Sequence, residues 1–129
     1  MEIPRQNKKM VIYLYIFLAF FSIPHLIDDF LYDIPLDFGI SVHLSQFLAG
    51  IFIVIYLGIL ILLVEGKKSG LYSAMGMGIF LALAGILKHI PLILKPGPYW
   101  SGWFSEGLIL GMIFSGITLA IVGFSTLKK

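Results

Sequence analysis

The stretch Phe47–Val64, FLAGIFIVIYLGILILLV, has no charged residue and is interrupted only by Gly50, Tyr56 and Gly58. Apolar runs of about 18 residues or more are typical of transmembrane helices, because about 20 helical residues cross a hydrocarbon core roughly 30 Å thick. This run therefore predicts a membrane-spanning helix, and the rest of the chain is interpreted around it.

Three further apolar runs flank this one in the sequence. We expect four transmembrane helices, at about Met10–Tyr32, Ile40–Val64, Gly70–Ile90 and Trp100–Leu127. With 59% hydrophobic residues, 12% charged residues and a mean hydropathy of +0.99, the chain is too apolar for a soluble domain of 129 residues. The prediction is an all-α integral membrane protein, in which residues 1–129 form a single domain, an antiparallel four-transmembrane-helix bundle.

Basic residues are distributed unequally between the two ends of these runs. All but Lys88 and Lys95 lie in the flanks that share one face, namely Arg5, Lys8, Lys9, Lys67, Lys68, Lys128 and Lys129. The positive-inside rule then places both termini in the cytoplasm. We expect a multi-pass protein of the cytoplasmic (plasma) membrane, N-in and C-in, whose first run is an uncleaved signal-anchor.

Acidic and aromatic residues collect on the opposite, extracytoplasmic side. Asp33 and Asp37 follow the first run, and Tyr32, Tyr99, Trp100 and Trp103 are expected to form an aromatic belt at that interface. The net charge of +2 arises from the cytoplasmic flanks and does not indicate nucleic-acid binding. The chain has 0 cysteines, which excludes disulfides, thiolate metal sites and thiol nucleophiles.

Every histidine of the chain lies near the extracytoplasmic end of a predicted helix. In an antiparallel hairpin order, seven polar residues meet at this level: His25, Asp28, Asp29, His43, Gln46, His89 and Glu106. At 1.5 Å per residue their depths spread over roughly 9 Å, which is less than two helical turns. Ionisable groups inside a membrane are costly and are usually functional or paired.

The directions in which these side chains project from their helices are also consistent with a shared site. Asp28 and Asp29 lie three and four residues after His25, so all three project from one side of the first helix. On the third run a stripe of small residues ends in His89, which predicts that this histidine points into the bundle. Imidazole and carboxylate from facing helices are the usual ligands for Zn, Fe, Mn or Cu where thiolates are absent.

The hypothesis is therefore a metal-binding or redox/proton-handling site. Its predicted metal ligands are His25, Asp28, His43, His89 and Glu106, with Asp29 and Gln46 as hydrogen-bonding partners of the ligands. The cofactor would be a divalent transition metal (Zn, Fe, Mn or Cu). A haem held axially by His89 and either His25 or His43 is a less favoured alternative. A quinone-type or proton-relay site would use the same side chains.

A different class of function fits the same sequence. Packing faces and the near absence of extramembrane mass also suit a non-catalytic accessory or assembly subunit of a larger membrane complex. The glycine-rich faces of helices three and four would then contact other subunits, or a second copy in a homo-oligomer. The sequence does not decide whether the protein is an enzyme.

Overall fold

The computed structural model describes residues 5–32, 36, 39–99 and 101–128. Its four long helices are α1 (Arg5–Leu31), α2 (Val42–Val64), α3 (Lys68–Ile93) and α4 (Trp103–Leu127). All four are long and apolar enough to cross a membrane, as expected for a multi-pass membrane protein. The all-helical class and the number of helices are thus confirmed within the described ranges.

Helix boundaries differ from the prediction mainly at the starts. The first helix begins at Arg5 instead of Met10, because the basic flank continues the helix beyond the apolar run. The second begins after Ser41, whose side-chain oxygen accepts a hydrogen bond from the Leu44 amide at 3.3 Å, as expected of an N-cap. The predicted positions Asp33, Asp37 and Trp100 lie outside the described residues.

The helices form a bundle in which α1 packs against α2 and α4, and α3 packs against the same two helices. At one end of the bundle, the Lys8 ammonium donates a hydrogen bond to the Val64 carbonyl at 3.1 Å. A cation beside the last carbonyls of α2 complements the helix dipole there. The glycine in the following turn, Gly66, has a φ of 78°, a conformation that glycine adopts without steric cost.

Midway along the bundle, packing is tight on both sides of the core. The rings of Tyr15 and Tyr56 stack with centroids 4.5 Å apart, and the Tyr15 hydroxyl donates to the Tyr56 carbonyl at 3.2 Å. Between α3 and α4, a Cβ added to Gly116 would lie 2.5 Å from the Gly78 carbonyl oxygen. The small-residue stripe therefore permits close backbone approach within the chain.

One irregularity lies in α3. After the α-helical segment Lys68–Ala84, residues Gly85–His89 form a π-helical turn, and the helix ends in the short segment Ile90–Ile93. The Ile90 amide accordingly bonds to the Gly85 carbonyl, five residues earlier. Pro91 explains the change, because proline lacks an N–H and its ring clashes with the carbonyl four residues before it. Such π turns are frequent at functional sites, and this one ends in His89.

Candidate metal centre

Two histidines from different helices meet inside the bundle. His25 on α1 and His89 on α3 are 5% and 6% exposed, and their Nε2 atoms lie 3.3 Å apart. The rings are nearly perpendicular, at 80°, with centroids 4.7 Å apart. The prediction that His89 points into the bundle is confirmed. His89 is the last residue of the π turn.

Asp29 completes the group on the same face of α1 as His25. Its Oδ1 lies 3.8 Å from Nδ1 of His25, within ion-pair range but too long for a hydrogen bond. Both atoms are buried and lack a hydrogen-bond partner among the described residues. Since nearly all buried polar atoms in proteins are paired, this pair of atoms is suited to an additional ligand.

Tyr99 approaches His89 from the other side. Its hydroxyl lies 2.5 Å from Nδ1 of His89, and its side chain is 5% exposed. Burial first, and then the charges of Asp29 and Asp28, raise the pKa of Tyr99 well above its usual value. The hydroxyl therefore keeps its proton across the neutral range, and it can either donate a hydrogen bond to Nδ1 or accept one from Nδ1–H.

Asp28 belongs to a second, separate group. Its carboxylate is 4% exposed and accepts hydrogen bonds from Ser101 (2.7 Å) and from Ser105. These serines lie just before and within the first turn of α4, so the contact fastens the start of α4 to the end of α1. Residues 28 and 29 are about 100° apart around the helix, which separates the two carboxylates onto different faces.

The remaining predicted residues lie elsewhere. His43 and Gln46 are exposed, whereas Ser45 between them is the buried polar residue of this turn of α2. Glu106 is half-buried and follows the buried Ser105. The predicted ligand roles of Asp28, His43 and Glu106, and the partner role of Gln46, stay predictions. The structure places none of these four residues in the group formed by His25, Asp29 and His89. Asp29, which was predicted as a hydrogen-bonding partner of the ligands, lies in that group instead of Asp28.

The geometry of this group fits a metal ion. One ligand atom from each of His25, Asp29 and His89 lies within 4.8 Å of the other two, and this is the one such group found among the described residues. Two metal–nitrogen bonds of about 2.0–2.1 Å meeting at about 109° would hold their nitrogens roughly 3.3–3.4 Å apart. The separation of the two Nε2 atoms, 3.3 Å, matches this value, and it also allows a direct hydrogen bond in which one Nε2–H donates to the other Nε2.

The same distance is less suitable for an axial haem. Two axial nitrogens on opposite sides of an iron would be about 4 Å apart, with the porphyrin plane between the rings. His25 and His89 are closer than this, and their rings contact each other edge to face. The arrangement therefore favours a single small ion over a porphyrin.

The sequence did not predict the contact of Tyr99 with His89 or the contacts of Ser101 and Ser105 with Asp28. Tyr99 was expected in the aromatic belt, but it is buried against His89. It follows Pro96, Gly97 and Pro98, and no helical periodicity extends through such a loop to indicate where a side chain points. The two serines had one available signal, because they lie within five residues of Glu106 at the predicted depth of the polar group.

Comparison with known proteins gives no further assignment. No protein-family model matches the chain, and no curated protein or solved structure matches it.

Proposed function

We propose that this protein binds a divalent transition metal (Zn, Fe, Mn or Cu) inside a four-helix membrane bundle. The ligands are Nε2 of His25, Nε2 of His89 and an oxygen of Asp29. The observation that carries the proposal is the 3.3 Å separation of two buried imidazole nitrogens next to a carboxylate oxygen that has no hydrogen-bond partner.

The surroundings of the two rings support ligation through Nε2. An imidazole that binds a metal through Nε2 carries its proton on Nδ1, and that N–H usually donates to an oxygen. Nδ1 of His89 faces the Tyr99 hydroxyl, and Nδ1 of His25 faces Asp29. Asp29 Oδ1, which has no hydrogen-bond partner among the described residues, lies 3.8 Å from Nδ1 of His25, so in this proposal Oδ1 orients the His25 ring and Oδ2 binds the ion.

Three protein ligands leave a coordination position open to a water molecule or a substrate, which is characteristic of catalytic metal sites. An ion held in this way would provide Lewis-acid or, for Fe, Mn and Cu, redox chemistry. The roles of this chain are to exclude bulk water from the histidine pair and to fix the two rings through Tyr99 and Asp29.

Elemental analysis of protein purified in mild detergent tests the proposal. Wild-type protein should contain about one transition-metal ion per chain. His89→Gln should lose the ion, because a ligand is removed while the polar volume is largely kept. His43→Ala should retain it, since His43 is exposed and outside the group. Folded wild-type protein that contains no metal after growth with each candidate metal would refute the proposal.

The arrangement in the membrane is part of the same proposal: antiparallel helices in the cytoplasmic membrane, with both termini in the cytoplasm. Contacts at both ends support it. His25 near the end of α1 meets His89 near the end of α3, while Lys8 near the start of α1 meets Val64 at the end of α2. Basic residues are concentrated at the end of the bundle where Lys8 meets Val64, and the positive-inside rule supports placing this end in the cytoplasm.

A cysteine-free chain permits a direct test of this topology. Lys67→Cys and Pro98→Cys each introduce one thiol at an exposed position. An impermeant maleimide added to intact cells should label the Pro98→Cys protein and should label the Lys67→Cys protein only after lysis. The reverse labelling pattern would show that the topology is inverted, with both termini outside the cytoplasm.

The alternative function, an accessory subunit of a larger complex, stays a prediction. Within the chain, the glycine faces of α3 and α4 pack against each other at Gly78 and Gly116. Contacts of these faces with a second copy or with other subunits also stay predictions. Stable co-purification of the chain with other subunits in mild detergent is the result that this alternative requires.

A further inference from the structure

A cavity of about 360 Å³ lies beside the histidine pair, between α1, α2 and α3. Its volume is within the range of roughly 300–1,000 Å³ that is usual for small-molecule sites. Two lining residues, Leu48 and Phe80, are 44% and 63% exposed. The cavity therefore opens at the outer surface of the bundle, where the apolar faces of α2 and α3 would meet lipid.

The wall of this cavity is apolar and aromatic. Phe30, Phe52 and Phe80 line it from three different helices, and Met112 lines it from the fourth. Aromatic rings favour offset or edge-to-face contact with another ring, and a methionine sulfur also makes favourable contacts with aromatic groups. Such a wall suits a planar ring.

The floor of the cavity is polar. Three described side-chain atoms, Ser22 Oγ, His25 Nδ1 and Asp29 Oδ1, are buried without a hydrogen bond of good geometry, and all three residues line this cavity. The Ser22 hydroxyl also interacts with the Tyr56 side chain. His25 is 5% exposed, so bulk water does not satisfy its nitrogen. Almost none of the surface of these three atoms is open, so in this account small side-chain rotations would bring them into hydrogen-bond contact with an occupant of the cavity.

Charge restricts the head group of the occupant. Asp29 lines the cavity, whereas no lysine or arginine is among its described lining residues. Lys88, which interacts electrostatically with Asp29, is not among the residues that line the cavity, so a phosphate or carboxylate inside it would meet the Asp29 carboxylate directly at a site of low dielectric. The site thus selects a neutral head group that carries both acceptor and donor oxygens.

We propose that this cavity binds the ring of a membrane quinone or quinol. Carbonyl oxygens of the ring accept hydrogen bonds from Ser22 or His25, quinol hydroxyls donate to Asp29, and the phenylalanines contact the ring faces and edges. The isoprenoid tail leaves through the opening between Leu48 and Phe80. This inference goes beyond metal binding and does not require the ion.

The test uses the complete chain in detergent micelles and decylubiquinone as the probe. Bound probe is measured after rapid gel filtration, with empty micelles as the blank. Decylbenzene has the same tail without ring oxygens, so it should bind at least about tenfold more weakly, a difference of about 1.4 kcal/mol. Equal retention of the two compounds would overturn the proposal, because it would show partition into an apolar surface alone.

Matched variants place the binding in the cavity. Ala49→Phe fills it from α2, and we expect affinity for decylubiquinone to fall by at least about tenfold. Leu83→Phe adds an aromatic ring at an exposed position of α3 outside the lining, and binding should be unchanged. If Ala49→Phe does not fold, Ala84→Phe fills the same cavity from α3. Full binding by a folded cavity-filling variant would refute the assignment.

Metal content, measured on the same samples, separates this inference from the proposed function. Ala49→Phe should keep the ion while it loses the probe. Wild-type protein that binds decylubiquinone but no metal would refute the metal site and support the quinone site. Metal binding without saturable binding of decylubiquinone would support the metal site and refute the quinone site.

Discussion

Asp28 and Asp29 are neighbours on α1, but their surroundings differ. The closed side, formed by Asp28, Ser101 and Ser105, pairs both carboxylate oxygens with hydroxyl donors. The open side, formed by Asp29 and His25 beside the cavity, leaves a buried oxygen and a buried nitrogen without hydrogen-bond partners among the described residues. The difference indicates that the first group fastens helices together, whereas the second is arranged for a ligand.

The largest expected effect tests this difference directly. Asp28→Ala removes the acceptor of two serine hydroxyls, one of them fully buried, and should lower the free energy of unfolding by about 1–3 kcal/mol. Asp29→Ala removes an oxygen that has no hydrogen-bond partner, so unfolding should change by less than about 1 kcal/mol. Its effect should instead be loss of the metal.

Unfolding in mixed detergent micelles, together with metal analysis of both variants, measures the two effects. Wild-type protein stripped of metal is the reference, so that loss of the ion does not contribute to the stability difference. Equal destabilisation by the two substitutions would remove the distinction between the closed and open sides.

A smaller effect is expected at Tyr99, which lies between the two sides. Tyr99→Phe keeps the buried ring and removes the hydroxyl next to His89 Nδ1, so metal affinity should fall about tenfold, as is typical when a ligand loses its hydrogen-bonding partner. Its pKa is raised, so this hydroxyl stays protonated in the folded state as pH rises through about 10, the usual tyrosine value.

The wild-type advantage in metal affinity over Tyr99→Phe should therefore be constant between about pH 7 and pH 9. Competition with a chromophoric chelator at each pH provides the measurement. Unchanged affinity in the variant would show that Tyr99 does not hold His89 in place.

The sequence predicted the helices well because apolar length alone identifies a spanning segment. It predicted less about rotation around each helix axis. Helix α2 is apolar on all sides, so no polar stripe indicated that Ser45, rather than His43, would face the bundle. On α3, the small residues did indicate the face that points into the bundle, and His89 lies on that face.

Other features depended on tertiary contacts that no local pattern encodes. The sequence predicted Asp28 as a ligand and Asp29 as a hydrogen-bonding partner of the ligands, although both positions are compatible with the face of His25. In the structure the serines of α4 bind Asp28, whereas Asp29 lies beside His25. Pro91 was a local sequence signal for the π turn. However, a proline near the end of a helix more often indicates that the helix terminates than that one turn contains an extra residue.

The most direct measurement is X-ray absorption at the edge of the metal that co-purifies with the wild-type protein. The account predicts two imidazole nitrogens at about 2.0–2.1 Å plus oxygen ligands, with the imidazole scattering reduced in His89→Gln and unchanged in His43→Ala. A spectrum without imidazole scattering, or one altered equally by the two substitutions, would contradict the shared site of His25 and His89.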